Sequence, residues 1–149
     1  MANIGMKINK FGGAAVKDAA GIKNVVKIIR SFDENSIVIV SAIGKTTNLL
    51  EKVCHFFFDD NKSKVDNPYF AELKENHITI VNELFEGKAP FIMNDIENIL
   101  LELECFLEKR SKPEPFDFYY DQIIPFGEIL SSRILAHYLN FSQVKTHWI

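Results

Sequence analysis

Apolar and polar positions along the first third of the chain follow a pattern that predicts a strand, a helix and a second strand. The first strand is expected at about residues 5–10, and the helix at about residues 17–32, where apolar residues recur at helical spacing. The second strand, Ile37 to Ser41, is apolar on both faces, which is typical of a central parallel strand covered by helices on both sides. This order predicts an α/β sandwich.

The rest of the chain is predicted to be mainly helical. Further helices are expected after Thr46 and from about Tyr69, Asn94 and Glu128. Asn94 is followed three residues later by Glu97, which predicts a capping box at a helix start. Lys112 to Phe116, with two prolines, is predicted to be an extended connector with a short approach to Gly127, and a last strand is expected from about Gln143.

Composition is that of an ordinary soluble globular protein with one core. Of the 149 residues, 47% are hydrophobic and 25% are charged, and the net charge of −3 argues against a nucleic-acid partner. The apolar runs are far shorter than the roughly 20 residues of a membrane span, and no secretory signal is visible. Cys54 and Cys105 lie in apolar helical patterns, so we expect both thiols in the core and the chain in the cytoplasm.

Candidate metal ligands and nucleophiles are not grouped in the sequence. The histidines are scattered without ligand spacing, and each is predicted to be a surface or helix-face residue: His55, His77, His137 and His147. No nucleophile has an adjacent base. We therefore predict no metal site of the protein's own, and chemistry that depends on positioning and charge.

A glycine turn follows the first predicted strand. Lys10, Phe11, Gly12 and Gly13 read as a strand end and a turn before a helix. Glycine amides can approach an anion closely, the following helix would present its positive N-terminus, and Lys10 adds a full charge. Taken alone, the pattern is equally that of a plain βα connection.

Two further segments have the same character. Ser41 to Leu50 reads SAIGKTTNLL after the second predicted strand, and Gly127 to Leu135 reads GEILSSRIL after a short apolar stretch. With the KFGG turn, and in this order, they resemble the N-terminal part of the catalytic domain of aspartate kinases, in the amino-acid kinase superfamily. The resemblance covers nearly the whole chain and implies a three-layer αβα sandwich with a mainly parallel sheet.

The resemblance implies a role for residues in each segment. Lys10 matches the lysine that contacts the transferred phosphate, beside the phosphate-binding Gly12 and Gly13. The alternative for Lys10 is a solvated surface lysine. The turn departs from the family because Ala14 and Ala15 replace the usual Thr-Ser, which removes hydroxyls from the phosphate loop.

The substrate side of the site is implied in the same way. Ser41, Thr47 and Glu128 match the family's substrate-binding serine, threonine and glutamate, with hydroxyls for the carboxylates of L-aspartate and an acid for its ammonium group. The alternatives are backbone capping by Ser41 and Thr47 and complementation of a helix dipole by Glu128.

The implied reaction is phosphorylation of the side-chain carboxylate of L-aspartate by MgATP, the entry to lysine, threonine and methionine synthesis. The family is expected to form homo-oligomers. Residues 1–149 would correspond to the N-terminal part of the kinase domain, without the nucleotide-binding half or the regulatory ACT domains, so we expect the chain alone to be inactive. The alternative is a non-catalytic module that binds an amino acid or a partner subunit.

A P-loop nucleotidase is the competing enzymatic interpretation, because Gly44, Lys45 and Thr46 imitate the end of a Walker A motif. That motif requires a glycine five residues before Gly44, where the chain has Ile39 in a strand pattern. The spacing therefore argues against this interpretation.

Overall fold

The computed structural model describes residues 6–32, 35–59, 67–108 and 113–149. Its strands are β1 (Lys7–Phe11) and β2 (Ser36–Val40). Its helices are α1 (Ala19–Arg30), α2 (Thr46–Phe58), α3 (Pro68–Phe85), α4 (Pro90–Leu107), α5 (Phe116–Ile123) and α6 (Phe126–Phe141). Both predicted strands of the first third and the helix between them are present, with boundaries shifted by one or two residues; residue 5 of the first lies outside the described residues.

The strands pair in parallel, from Lys7 opposite Ser36 to Phe11 opposite Val40. Side chains alternate between the faces of a sheet, so Phe11 and Val40 turn to the core while Ile8 and Ile39 turn outward. Ile8 is 67% exposed and Ile39 45% exposed. The prediction that β2 is covered on both sides is therefore wrong for the described residues, where the outer face is open.

Helix boundaries follow capping chemistry that the sequence shows. Asp18 caps α1 by accepting a hydrogen bond from the Gly21 amide at 2.7 Å. The Asn67 side chain caps α3, whose first residue is Pro68, and α3 ends where Glu86 and Gly87 take positive φ angles of 52° and 69°.

Two helices differ from the sequence prediction. α4 begins at Pro90, one turn before Asn94, because proline suits the first position of a helix. Asn94 and Glu97 therefore lie inside the helix and not at its start. The capping box at Asn94 is therefore wrong. α5 was not predicted, since it has only eight residues and follows Pro115, yet it buries Tyr119 and Ile123. Lys112, in the predicted connector, lies outside the described residues.

The predicted strand from Gln143 does not form: residues 144–149 belong to no sheet in the described structure. Instead α6 ends in a Schellman turn, in which Gln143 has φ 64° and the Val144 amide donates to the Leu139 carbonyl at 2.8 Å. The chain then turns back along α6, where the Asn140 side chain bonds both the amide and the carbonyl of Thr146, each at 3.0 Å.

The core lies between the inner face of the sheet and the helices. Its fully buried residues come from all six described helices and include Ile22, Leu50, Leu73, Leu100, Leu103, Ile123, Leu130 and Ile134. Cys54 is buried as expected, but Cys105 is exposed, so the prediction of two core thiols is half wrong. None of the described helices is both long and apolar enough to span a lipid bilayer.

His77, predicted to be a surface or helix-face residue, lies on the buried face of α3 and is only 1% exposed, so the surface alternative is wrong. Its Nδ1 lies 2.8 Å from the Leu73 carbonyl, one helical turn earlier, while its Nε2 is buried without a partner. Burial lowers the pKa of His77, so the ring stays neutral with its proton on Nδ1.

Candidate functional site

The first segment of the candidate site is the turn after β1. Lys10 is exposed near the end of that strand, and a Cβ atom placed on Gly12 would meet nothing within 4 Å. The turn is closed by the Ala15 amide, which donates to the Gly12 carbonyl at 2.9 Å. Gly12 thus leaves open space two residues after an exposed lysine, a combination that suits a phosphate.

The second segment, the loop from Ser41 to Lys45, packs directly on that turn. The Gly44 amide donates to the Gly13 carbonyl at 3.1 Å, and the Ser41 amide donates to the Phe11 carbonyl at 3.0 Å. A Cβ atom on Gly13 would lie only 2.5 Å from the Ala42 carbonyl oxygen. The close approach of the two loops therefore depends on glycine at position 13.

The third segment, the start of α6, contacts the same loop. The Ala42 amide donates to Glu128 Oε1 at 3.3 Å, across 86 residues of sequence. A Cβ atom on Gly127 would lie 2.9 Å from the Ala42 Cβ, so Gly127 is also a contact that admits no side chain. Ala42 is the residue at which the three segments meet, and we call this contact region the Ala42 junction.

The predicted substrate-binding residues lie around the Ala42 junction. Ser41 directly precedes Ala42 and is half-buried, Thr47 is half-buried in the first turn of α2, and Glu128 is exposed in the first turn of α6. Ser41 follows the carboxyl end of β2, where ligand sites form in parallel α/β sheets. The three segments together carry an acid, two hydroxyl groups and a lysine, which suits a small ligand with both ammonium and carboxylate groups.

One part of the predicted phosphate site is wrong. The helix after the glycine turn was expected to offer its N-terminus to an anion, but α1 begins only at Ala19, and the Asp18 carboxylate already caps it. A second anion there would meet a like charge. The predicted roles of Gly12 and Lys10 do not depend on that helix N-terminus and stay predictions.

The P-loop interpretation also fails in three dimensions. Ile39 lies in β2, and only residues 41–45 separate that strand from α2, which leaves no wide phosphate loop. The Gly44 amide, which such a loop would aim at phosphate, is bonded to Gly13.

A cleft of about 670 Å³ adjoins the second segment of the site, whose Ile43 and Gly44 line it. It runs between α2 and α3, and Lys45, Lys52, Glu72, Glu75 and His77 are among its lining residues. None of the six predicted site residues lines it. In the part of the chain that the structure describes, no group of three or more His, Cys, Asp or Glu residues could hold a metal ion.

Sequence reasoning missed the residues that assemble the junction and a polar cluster that joins α4 to α6. Ala42 and Gly127 were passed over because their part is to be small, and the only local signal was the small-residue pairs Ser-Ala and Gly-Glu at strand and helix ends. Asp95 of α4 pairs with Arg133 and His137 of α6, and hydrogen bonds from Arg133 are the main cause that lowers the Asp95 pKa.

The amino acid kinase family model matches residues 5–149. The chain belongs to the amino acid kinase family. Aspartokinase 1, chloroplastic, of Arabidopsis thaliana is 33% identical over 145 residues, which are 93% of this chain and 24% of that protein. Aspartokinase 3 of Bacillus subtilis is 29% identical over 153 residues, which are 97% of this chain and 31% of that protein. The resemblance to aspartokinases is thereby confirmed.

Solved structures show the same relationship. E. coli aspartokinase III in complex with lysine and aspartate matches with a TM-score of 0.79 at 20% identity, over 97% of this chain and 31% of that chain. Clostridium acetobutylicum aspartate kinase matches with a TM-score of 0.69 at 26% identity, over 89% and 29%. The small parallel sheet with flanking helices is thus the αβα fold of amino-acid kinases, as predicted. The chain spans about a quarter to a third of the length of these relatives.

Proposed function

We propose that this chain supplies the substrate side of an aspartate kinase. In that reaction a side-chain carboxylate oxygen of L-aspartate attacks the γ-phosphorus of ATP, the bond to ADP breaks, and 4-phospho-L-aspartate forms. The observation that supports this proposal is the Ala42 junction. There three segments that are distant in sequence meet: the turn that follows Lys10, the loop that carries Ser41, and the start of α6 with Glu128.

Glu128 and the hydroxyl groups would select and orient the amino acid. The Glu128 carboxylate accepts one bond from the Ala42 amide through Oε1, which fixes its orientation and leaves further acceptor capacity for the substrate ammonium. Ser41 directly precedes Ala42, and Thr47 follows it by five positions. Their hydroxyl groups would donate hydrogen bonds to the substrate carboxylates. Such orientation is the main contribution a protein makes to phosphoryl transfer.

Lys10 and the open space at Gly12 would serve the phosphate side. Phosphoryl transfer requires positive charge around the moving group, and the exposed Lys10 ammonium makes no hydrogen bond or ion pair with the described residues. Mg²⁺ bound to the ATP phosphates supplies further positive charge. The Lys10 ammonium would share that neutralisation, while the Gly12 backbone leaves room for the phosphate to approach.

The remaining parts of the proposal extend the expectations drawn from the sequence and its resemblance to aspartate kinases. The parent enzyme would act in the cytoplasm on free L-aspartate at the entry to lysine, threonine and methionine synthesis, as a homo-oligomer. Residues 1–149 would form the N-terminal part of its kinase domain, with the nucleotide-binding half and ACT domains outside this sequence.

Calorimetric titration with L-aspartate tests the proposal. We expect saturable binding by the chain, lost in Glu128→Gln, which keeps the shape of the side chain but removes the charge that pairs the ammonium. D-aspartate is the matched ligand control. Absence of any L-aspartate binding, or equal binding by Glu128→Gln, would contradict the assigned site.

A coupled ADP-release assay separates a half-site from an enzyme. We expect no turnover by the chain above that of Lys10→Ala, because part of the charge around the phosphate is expected from the other half of the domain. Turnover above that control would show that this chain alone is a kinase. Aspartate binding without turnover agrees with the substrate-side assignment.

A further inference from the structure

The segment after α6 is fastened to the helix that holds Glu128. Trp148 donates through Nε1 to the Ser132 hydroxyl at 3.0 Å. Ser132 lies four residues after Glu128, so the two positions share one face of α6 in successive turns. The indole is therefore tied one helical turn from the proposed substrate acid.

A second contact holds the same ring. The Arg133 guanidinium lies 4.6 Å from the centre of the Trp148 ring, at cation–π distance. Arg133 is itself fixed by a two-point bond to Asp95, with Nε 2.6 Å from Oδ2 and Nη2 3.2 Å from Oδ1. His137 Nε2 lies 2.6 Å from the same Oδ2. Because Asp95 belongs to α4, the indole is anchored to two helices.

The side chains of this cluster are shielded enough for their geometry to matter. The Asp95, Arg133 and His137 side chains are 22%, 30% and 20% exposed, unlike the Lys74–Glu104 pair, whose side chains are 46% and 40% exposed. Two-point guanidinium–carboxylate bonds are directional as well as strong. The cluster thus fixes the Arg133 plane on which the indole rests.

The path of the segment brings it alongside β2. After the turn at Gln143, residues 146–149 lie beside Val38 and Val40, with which they share a cavity of about 90 Å³. Val40 is the last residue of β2, followed by Ser41 and Ala42. The segment therefore borders both the strand that leads into the Ala42 junction and the helix that begins there.

We propose that Arg133 and Trp148 are positioning residues for the aspartate site, holding residues 144–149 as a side wall between β2 and α6. This inference rests on the proposed function. Aspartate at Glu128 would alter the Ala42 contact and, through Val40 and the adjacent helical turn, the surroundings of Trp148. Loss of the Arg133 or Trp148 contact would free the wall and weaken aspartate binding.

Fluorescence gives a direct measurement because Trp148 is the single tryptophan of the chain. We expect a saturable change in its emission on titration with L-aspartate, absent with D-aspartate. Arg133→Lys, which keeps the charge but loses the two-point bond, is expected to raise the Kd about fivefold, at the low end of couplings between linked sites. Lys74→Met, which removes the exposed pair with Glu104, is the control and should leave the Kd unchanged.

Calorimetry on Trp148 variants separates positioning from general stability. Trp148→Phe retains an aromatic ring for Arg133 and should weaken aspartate binding less than Trp148→Ala. Each titration is made at a temperature far below the Tm of the variant, so that all variants are folded. If the wild-type chain binds L-aspartate but its emission stays constant and the Kd of Arg133→Lys matches that of the wild type, the inference is overturned and the proposed function survives. If the wild-type chain shows no heat of binding, the proposed function itself fails.

Discussion

Replacing Gly13 by alanine tests whether the glycine turn and the Ala42 loop are packed as described. The added Cβ would lie 2.5 Å from the Ala42 carbonyl oxygen and 3.1 Å from the Gly44 carbonyl oxygen. Both opposing atoms are backbone, in a loop held by the hydrogen bond from the Gly44 amide to the Gly13 carbonyl. The loop must therefore move as a unit and strain that bond.

The expected cost follows from the size of the overlap. Real Cβ atoms essentially never approach another atom closer than 3.0 Å, so the Ala42 oxygen must move by about half an ångström. Overpacking of this kind costs about 1–3 kcal/mol of folding stability. Because the opposing atoms are backbone and cannot rotate away, we expect Gly13→Ala to lower the free energy of unfolding by about 3 kcal/mol. For a chain of this length that corresponds to a fall in Tm of roughly 6–12 °C.

The neighbouring glycine supplies the control. A Cβ on Gly12 meets nothing within 4 Å and Gly12 lacks a positive φ, so Gly12→Ala should change the free energy of unfolding by less than about 0.5 kcal/mol. Urea unfolding monitored by circular dichroism measures both variants. Equal losses in the two variants, or an unaffected Gly13→Ala, would refute the packing described here.

Three further predictions concern groups outside the junction. Burial lowers the pKa of His77, so the unfolded chain binds a proton that the folded chain does not; urea unfolding should show stability falling as pH drops below about 6.5, less so in His77→Gln, and equal slopes would contradict this. Iodoacetamide should label Cys105 and spare Cys54, whose buried thiol has its pKa raised to about 11; mass spectrometry that finds equal labelling would disprove the assignment. Asp95→Asn should lower the free energy of unfolding by about 2 kcal/mol at neutral pH, and because Arg133 lowers the Asp95 pKa, that difference should vanish as acid protonates Asp95 in the folded chain; a constant difference would count against the ion pair.

Local sequence signals predicted the elements whose cause is local. The apolar stripe of α1 and the start of α3, predicted at about Tyr69 and found at Pro68, depend on residues within a few positions of one another, so the local pattern suffices. α5 was not predicted because eight residues are too few to display a helical repeat of apolar positions. Its burial of Tyr119 depends on packing against Phe57, which is distant in sequence.

The candidate site shows the same division. Each of its three segments follows a strand or begins a helix, and the resemblance to aspartate kinases is what allowed Lys10, Ser41 and Glu128 to be proposed from the sequence. The contact that unites them, Ala42 with Glu128, joins residues 86 positions apart and involves a backbone amide, so no side-chain pattern announces it. Asp18, which caps the start of α1, can be read in the sequence. Its hydrogen bond to the Gly21 amide could not be predicted, because it depends on the residue at which the helix begins after the turn.

The most direct test of the central claim is the amide signal of Ala42 in a ¹⁵N-labelled chain titrated with L-aspartate. If the Ala42 junction is the substrate site, the Ala42 amide signal shifts saturably, because a ligand ammonium bound to the Glu128 carboxylate weakens its hydrogen bond to that amide. The shift is lost in Glu128→Gln. Shifts confined to residues lining the cleft between α2 and α3, with Ala42 unmoved at saturation, would contradict the account.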